Sequence, residues 1–118
     1  MNEKTVNILG KEVRLRYCAA TENGFETIRE KSISNMDFTK QEDLITLAVC
    51  AIVAAYARTE EEPPVTSQDI IYDCTPAEIV ELVTAVIELR NEWYKVPSVV
   101  ETGEETQSDE EEEEAPKN

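Results

Sequence analysis

Histidine is absent from the 118 residues. That gap removes Ser-His and Cys-His catalysis, histidine-liganded zinc and the Glu-x-x-His di-iron arrangement together. Cysteine is sparse. Cys18, Cys50 and Cys74 are odd in number and far apart, with no Cys-x-x-Cys pair, so a zinc ribbon and a thioredoxin-like redox motif are excluded. Cys50 lies in an apolar run and reads as a small core residue. Reduced thiols fit a cytoplasmic, non-secreted protein. The longest nearly apolar run, Leu44 to Ala57, is interrupted by Thr46. At about 14 residues it is too short to span a bilayer and reads as a buried helix. The opening Met-Asn-Glu-Lys-Thr leads into an alternating strand rather than a signal-peptide core. There is no Gly-x-Gly-x-x-Gly, no phosphate-binding loop, no Gly-x-Ser-x-Gly and no calcium-binding Asp-x-Asp-x-Asp-Gly loop. Carboxylates are plentiful, but nothing in the sequence makes a catalytic pair of them converge. No cofactor, no metal and no enzymatic activity are expected.

Positive charge is also scarce: 26 acids face 11 bases, for a net charge of -15. Residues 101–118 hold nine acids and a single base, Lys117. Such a surface repels nucleic-acid backbones and anionic lipid headgroups, so neither nucleic acid nor membrane is an expected partner. It suits a basic protein partner, or serves solubility alone.

What is present organises the chain. Residues 4–17 alternate apolar and polar side chains around Gly10-Lys11. Glycine at the first central position fits a type II′ turn. A Gly10-Lys11 loop pairs Leu9 with Glu12, Ile8 with Val13 and Val6 with Leu15. Val6, Ile8, Val13, Leu15 and Tyr17 then share one face, and Thr5, Asn7, Arg14 and Arg16 the other. A two-stranded ribbon cannot stand alone and must pack on helices. Residues 20–31 predict a helix with Ala20, Phe25 and Ile28 inward, weakened by Gly24. Residues 32–38 read as a linker anchored by Met36 and Phe38. Thr39 and Glu42 have capping-box spacing, with Phe38 as a hydrophobic staple, before a central helix over 40–58 that is apolar nearly all round.

Glutamates and prolines end that helix at 59–64. Residues 65–74 admit one or two helical turns, with Ile70, Ile71 and Tyr72 reaching the core. Thr75-Pro76-Ala77-Glu78 places threonine at N-cap, proline at N1 and glutamate at N3 of a helix running to about Tyr94. Its polar stripe is Glu78, Glu81, Glu88 and Glu92 with Thr84 and Ala85, ordinarily a solvated face. The remaining apolar face is wider than packing on one helix requires. Trp93 is expected in the core. Tyr94 fits either the core or an exposed hot spot. Pro97 stops the helix, and the acid run beyond cannot offset the entropy cost of ordering.

The expected fold is therefore mainly α (α+β): an N-terminal β-hairpin packed on a bundle of three to four helices in residues 1–97, then a disordered acidic tail over 98–118. The apolar surplus places a partner-binding groove along Val80, Val83 and Ile87, with Tyr94, Val99 and Val100 continuing the thread.

The opening Val6-Asn7-Ile8-Leu9-Gly10-Lys11-Glu12-Val13-Arg14-Leu15-Arg16-Tyr17 resembles the start of tail assembly chaperones of long-tailed bacteriophages and prophages. In that family a hairpin with a Gly-Lys turn and alternating apolar residues before an arginine precedes a small helical bundle. The likeness covers residues 4–95 in layout and 6–17 in motif. It implies a protein that covers apolar helical segments of the tape-measure protein during phage tail assembly, in the bacterial host cytoplasm, and that recruits tail-tube subunits. The other reading open at this stage is a small acidic adaptor or inhibitor that binds a basic surface by charge mimicry.

Overall fold

The computed structural model describes residues 2–95. The expected arrest at Pro97, the boundary at 97 and the tail at 98–118 lie outside the described residues. Strands β1 (Glu3–Ile8) and β2 (Lys11–Arg16) form an antiparallel hairpin. Four helices follow: α1 (Ala19–Arg29), α2 (Gln41–Tyr56), α3 (Ser67–Asp73) and α4 (Pro76–Lys95), with a 3-10 turn at Ile33–Asn35. The expected hairpin-on-helices architecture is the observed one.

The inner sheet face is as expected: Val6, Ile8, Val13, Leu15 and Tyr17 are all buried. The turn is not. Its central residues are Leu9 and Gly10, at φ 55° and 77°. Two positive φ values are the signature of a type I′ turn rather than the expected II′. The register moves with it. Val6 pairs with Val13, Lys4 with Leu15 and Ile8 with Lys11. Each partner shifts by two residues, so side-chain parity survives and the same face is buried. Leucine in the left-handed region costs about 1–2 kcal/mol. Two contacts offset this: Leu9 packs against the core, and its N–H donates to Glu78 Oε2 at 2.9 Å.

α2 contacts β2 and α4 contacts β1, so two helices underlie the two strands. α4 also runs alongside β1 in the opposite direction. Glu78 meets Leu9, and ten residues later Glu88 meets Lys4 at 3.4 Å. Ten helical residues and five extended ones each span roughly 15–17 Å, which is why both contacts form.

The hairpin's edges are treated differently. Ile8 and Lys11 close the loop, so Ile8, Val6 and Lys4 exchange backbone bonds with β2 while Glu3, Thr5 and Asn7 turn theirs outward. On the β2 side, Arg14 N–H donates to Tyr56 Oη at 3.1 Å, and Arg16 C=O accepts from the Thr21 hydroxyl at 2.8 Å. That hydroxyl also accepts from Cys18 N–H, tying the strand exit to the first turn of α1.

α1 departs from its expected face. Phe25 and Thr21 are buried, but Ile28 is 58% exposed and Ala20 is exposed. Gly24 has a packing reason: a β-carbon there would lie 3.0 Å from Cys50 Sγ, so α1 and α2 approach at that point. The Thr39–Glu42 capping box does not form. Lys40 is the N-cap and its side chain caps nothing. Thr39 instead donates its hydroxyl and N–H to Asp37 Oδ1, at 2.6 and 2.9 Å. Phe38 is 48% exposed. By contrast, the capping box of α4 forms in full. Thr75 N–H donates to Glu78 Oε1 at 2.9 Å, and Glu78 N–H to Thr75 Oγ1 at 3.2 Å. Of the expected polar stripe on α4, Ala85 is buried, on the side nearer the strands.

The first turn of α2 holds the one wholly buried carboxylate among the described residues. Asp43 is 0% exposed and accepts from Arg29 Nε (2.8 Å), Lys31 Nζ (2.6 Å) and Asp37 N–H (2.8 Å). Burial pushes its pKa up, and these three donors overcome that, holding the carboxyl at about 2. A depressed carboxyl stabilises the fold fully above its unfolded pKa of about 4 and loses that contribution as pH falls through 2. Asp43→Ala strands two cations beside a buried void and is expected to cost about 3 kcal/mol, read from the urea midpoint at neutral pH. Asp43→Asn is expected to flatten the fall of that midpoint between pH 4 and pH 2 relative to the native chain.

Candidate functional site

The apolar α2 is covered on most sides, with Val53 left 55% exposed. Leu47, Ala48, Ala51, Ile52 and Ala55 are buried. The first half of α2 is covered less completely. There, α2, α3 and the start of α4 border a cleft of about 910 Å³. Its walls are Ile45 of α2, Ile70 and Ile71 of α3, Cys74, and Ile79 and Val80 of α4, with Arg29 and Glu42 at one end. α3 sits there because Thr66 caps it, accepting from Asp69 N–H at 3.2 Å, and because Ile70 anchors it at 1% exposure. With seven residues it offers only two turns. Ile71 and Tyr72, expected in the core, therefore face outward at 57% and 76%.

The expected groove residues fall in three places. Val80 is 63% exposed and lines the cleft. Val83 and Ile87 are half-buried and lie outside its lining, on the next two turns of the same helix face. Tyr94 closes that stripe at 55% exposure. Val99 and Val100 lie outside the described residues. Ile71 is the cleft residue that sequence reasoning misassigned. The available signal was Ile70-Ile71-Tyr72 itself: three consecutive apolar residues on a two-turn helix cannot all face inward.

The far end of the stripe is aromatic and polar at once. The Arg90 guanidinium lies 5.3 Å from the Phe38 ring and 5.0 Å from the Tyr94 ring. Its Nε is buried without an acceptor among the described residues. Trp93 is half-buried, with its ring 6.3 Å from that of Tyr17. One oxygen of Glu22 accepts from the Tyr17 hydroxyl at 2.7 Å and also from the Tyr94 hydroxyl, pinning the end of α4 to α1. Burial, then the bond to Glu22, pushes the Tyr17 phenol well above its ordinary value. The bond to Glu22, then burial, also raises the Tyr94 phenol.

Neither the Cys50 nor the Cys74 thiol is activated. Burial raises Cys50 to about 11. Burial, with Glu78 nearby, raises Cys74. Among the described residues no cluster of acids and cysteines has metal-binding geometry, and no helix is long and apolar enough to cross a membrane. What the surface offers chemically is apolar contact: a cleft lined by Ile71 and Val80, continued along α4 to the Tyr94–Arg90–Phe38 cluster. No family model matches the chain, and no curated protein or solved structure matches it.

The Glu22 junction has an optical readout. Glu22→Gln removes the anion that favours both neutral phenols, so part of the tyrosinate absorbance at 295 nm is expected to appear at lower pH than in the native chain. An unchanged titration would show that neither phenol bonds Glu22 in solution.

Proposed function

We propose that this protein works by binding another polypeptide and not by catalysis, as a tail assembly chaperone that covers apolar helical segments of a phage tape-measure protein in the host cytoplasm. The observation that carries this reading is the apolar surface left open around the cleft. Ile71 and Val80 both line the cleft and are each more than half exposed, in a chain otherwise rich in charge. An amphipathic helix laid in a groove presents side chains at i, i+3, i+4 and i+7, and a cleft walled by isoleucines and valine complements that pattern. Large exposed apolar surface is rare on a protein that acts alone. The resemblance of residues 6–17 to the chaperone hairpin supplies the partner, and the tail-tube subunits are a further candidate on the same ground. The excess of acidic residues keeps a chaperone soluble while its partner is still unassembled.

A tagged full-length chain captured from prophage-induced cells is expected to retain a tail protein. Ile71→Asp with Val80→Asp is expected to weaken that capture by about tenfold or more, because two apolar contacts of about 1 kcal/mol each become buried charges. Retention in about 0.5 M salt is the expected result for apolar contact. Loss in that salt is the signature of charge mimicry instead, since exposed charge pairs are screened.

A further inference from the structure

The second partner-facing feature is the open edge of β1. Glu3, Thr5 and Asn7 are exposed and turn their backbone N–H and C=O groups outward, and none of these groups bonds to another described residue. The opposite edge is sealed at Arg14 and Arg16. The usual guards of an edge strand are missing from β1: it has no proline and no bulge, and its one lysine, Lys4, is turned back toward Glu88. A two-stranded sheet with one bare edge is a template for a third strand.

The charge beside the edge selects the occupant. α4 lies along β1, and Glu88 marks the helix face nearest the edge. Glu81 lies one heptad earlier on that face, level with Asn7, and is exposed. The outer sheet face is balanced instead, with Glu3 paired to Arg16 at 3.9 Å and Arg14 opposite Thr5. A strand added to β1 would thus run past carboxylates on its helix side, Glu81 and the exposed Glu88 that Lys4 also approaches. A second copy of this chain is a poor fit, because pairing β1 with β1 would bring two such glutamate stripes together.

We propose that the β1 edge receives, by strand addition, an extended segment of another protein that carries lysine or arginine at alternate positions. The backbone bonds supply affinity, and Glu81 and Glu88 select the basic residues facing the helix layer. This surface is separate from the cleft, so either proposal can fail alone.

The test uses the full chain, isotope-labelled, titrated with a capped peptide of about nine residues alternating lysine and threonine. The expected result is a change in the amide signals of Glu3, Thr5 and Asn7, with slowed hydrogen exchange at Thr5 and Asn7. A glutamate–threonine peptide is expected not to bind. The same lysine peptide, N-methylated at every second amide, is expected to bind about tenfold more weakly when the methylated amides are those facing β1. Thr5→Pro removes only an outward donor, and proline is tolerated at such edge positions. It is expected to keep the native circular dichroism and to lose binding about tenfold, and Glu81→Lys to weaken binding as well. Should Thr5→Pro fail to fold, the methylated peptide makes the same test on the native chain. Equal binding of the methylated peptide, equal binding of the acidic peptide, or shifts confined to α3 and α4 would overturn the proposal. So would a doubling of solution mass without peptide that Thr5→Pro abolishes, which would assign the edge to a second copy.

Discussion

The Glu78 carboxylate is the joint on which the layout turns. One of its oxygens closes the cap of α4 on Thr75, and the other accepts from Leu9 N–H at the tip of the hairpin. These two backbone N–H groups hold the carboxyl below the usual carboxylate range, so it is an anion throughout the neutral region. The joint does three things. It stabilises a leucine in a backbone region that leucine avoids. It fixes the start of α4 against the turn. It also sets the azimuth of α4, which places the glutamate stripe beside β1 and the Val80–Tyr94 stripe on the far side. Both candidate surfaces inherit their positions from this contact.

The elements legible in the sequence are those specified locally. Alternation over residues 4–17 identifies the buried sheet face, because side-chain parity survives a shift of two residues. Thr75, Pro76 and Glu78 locate the start of α4, because all the groups of that cap lie within one turn. The misreadings come from distant partners. Gly10-Lys11 reads as the loop until Glu78, 69 residues from Leu9, stabilises Leu9-Gly10 instead. Thr39 reads as a cap until Asp37 competes for its hydroxyl. Asp43, an unremarked acid in the sequence, becomes buried because Arg29 and Lys31 converge on it. For the candidate site, the over-wide apolar face of α4 pointed to Val80. The half belonging to α3 was not legible, since a two-turn helix gives too short a pattern to say which side faces in.

Charge and apolar surface are distributed in a complementary way. Asp43 draws two of the chain's few cations inward, and Arg14 and Lys4 are occupied by Glu61 and Glu88. Arg90 is used differently: it lies between the Phe38 and Tyr94 rings with no carboxylate partner among the described residues. The stripe on α4 therefore runs from purely aliphatic contact at Val80 to a polarised aromatic end at Tyr94. A long partner laid along it would meet graded chemistry and would have a preferred direction.

The Tyr56 hydroxyl, seated on the backbone of Arg14, has a further consequence. A ribbon whose two borders were both bare would be divalent, and divalent units polymerise. With one border plugged by a side chain from the central helix, this ribbon is monovalent. Two copies joined through that border would leave only plugged borders outside, so assembly of this chain with itself stops at a pair instead of growing into a fibre.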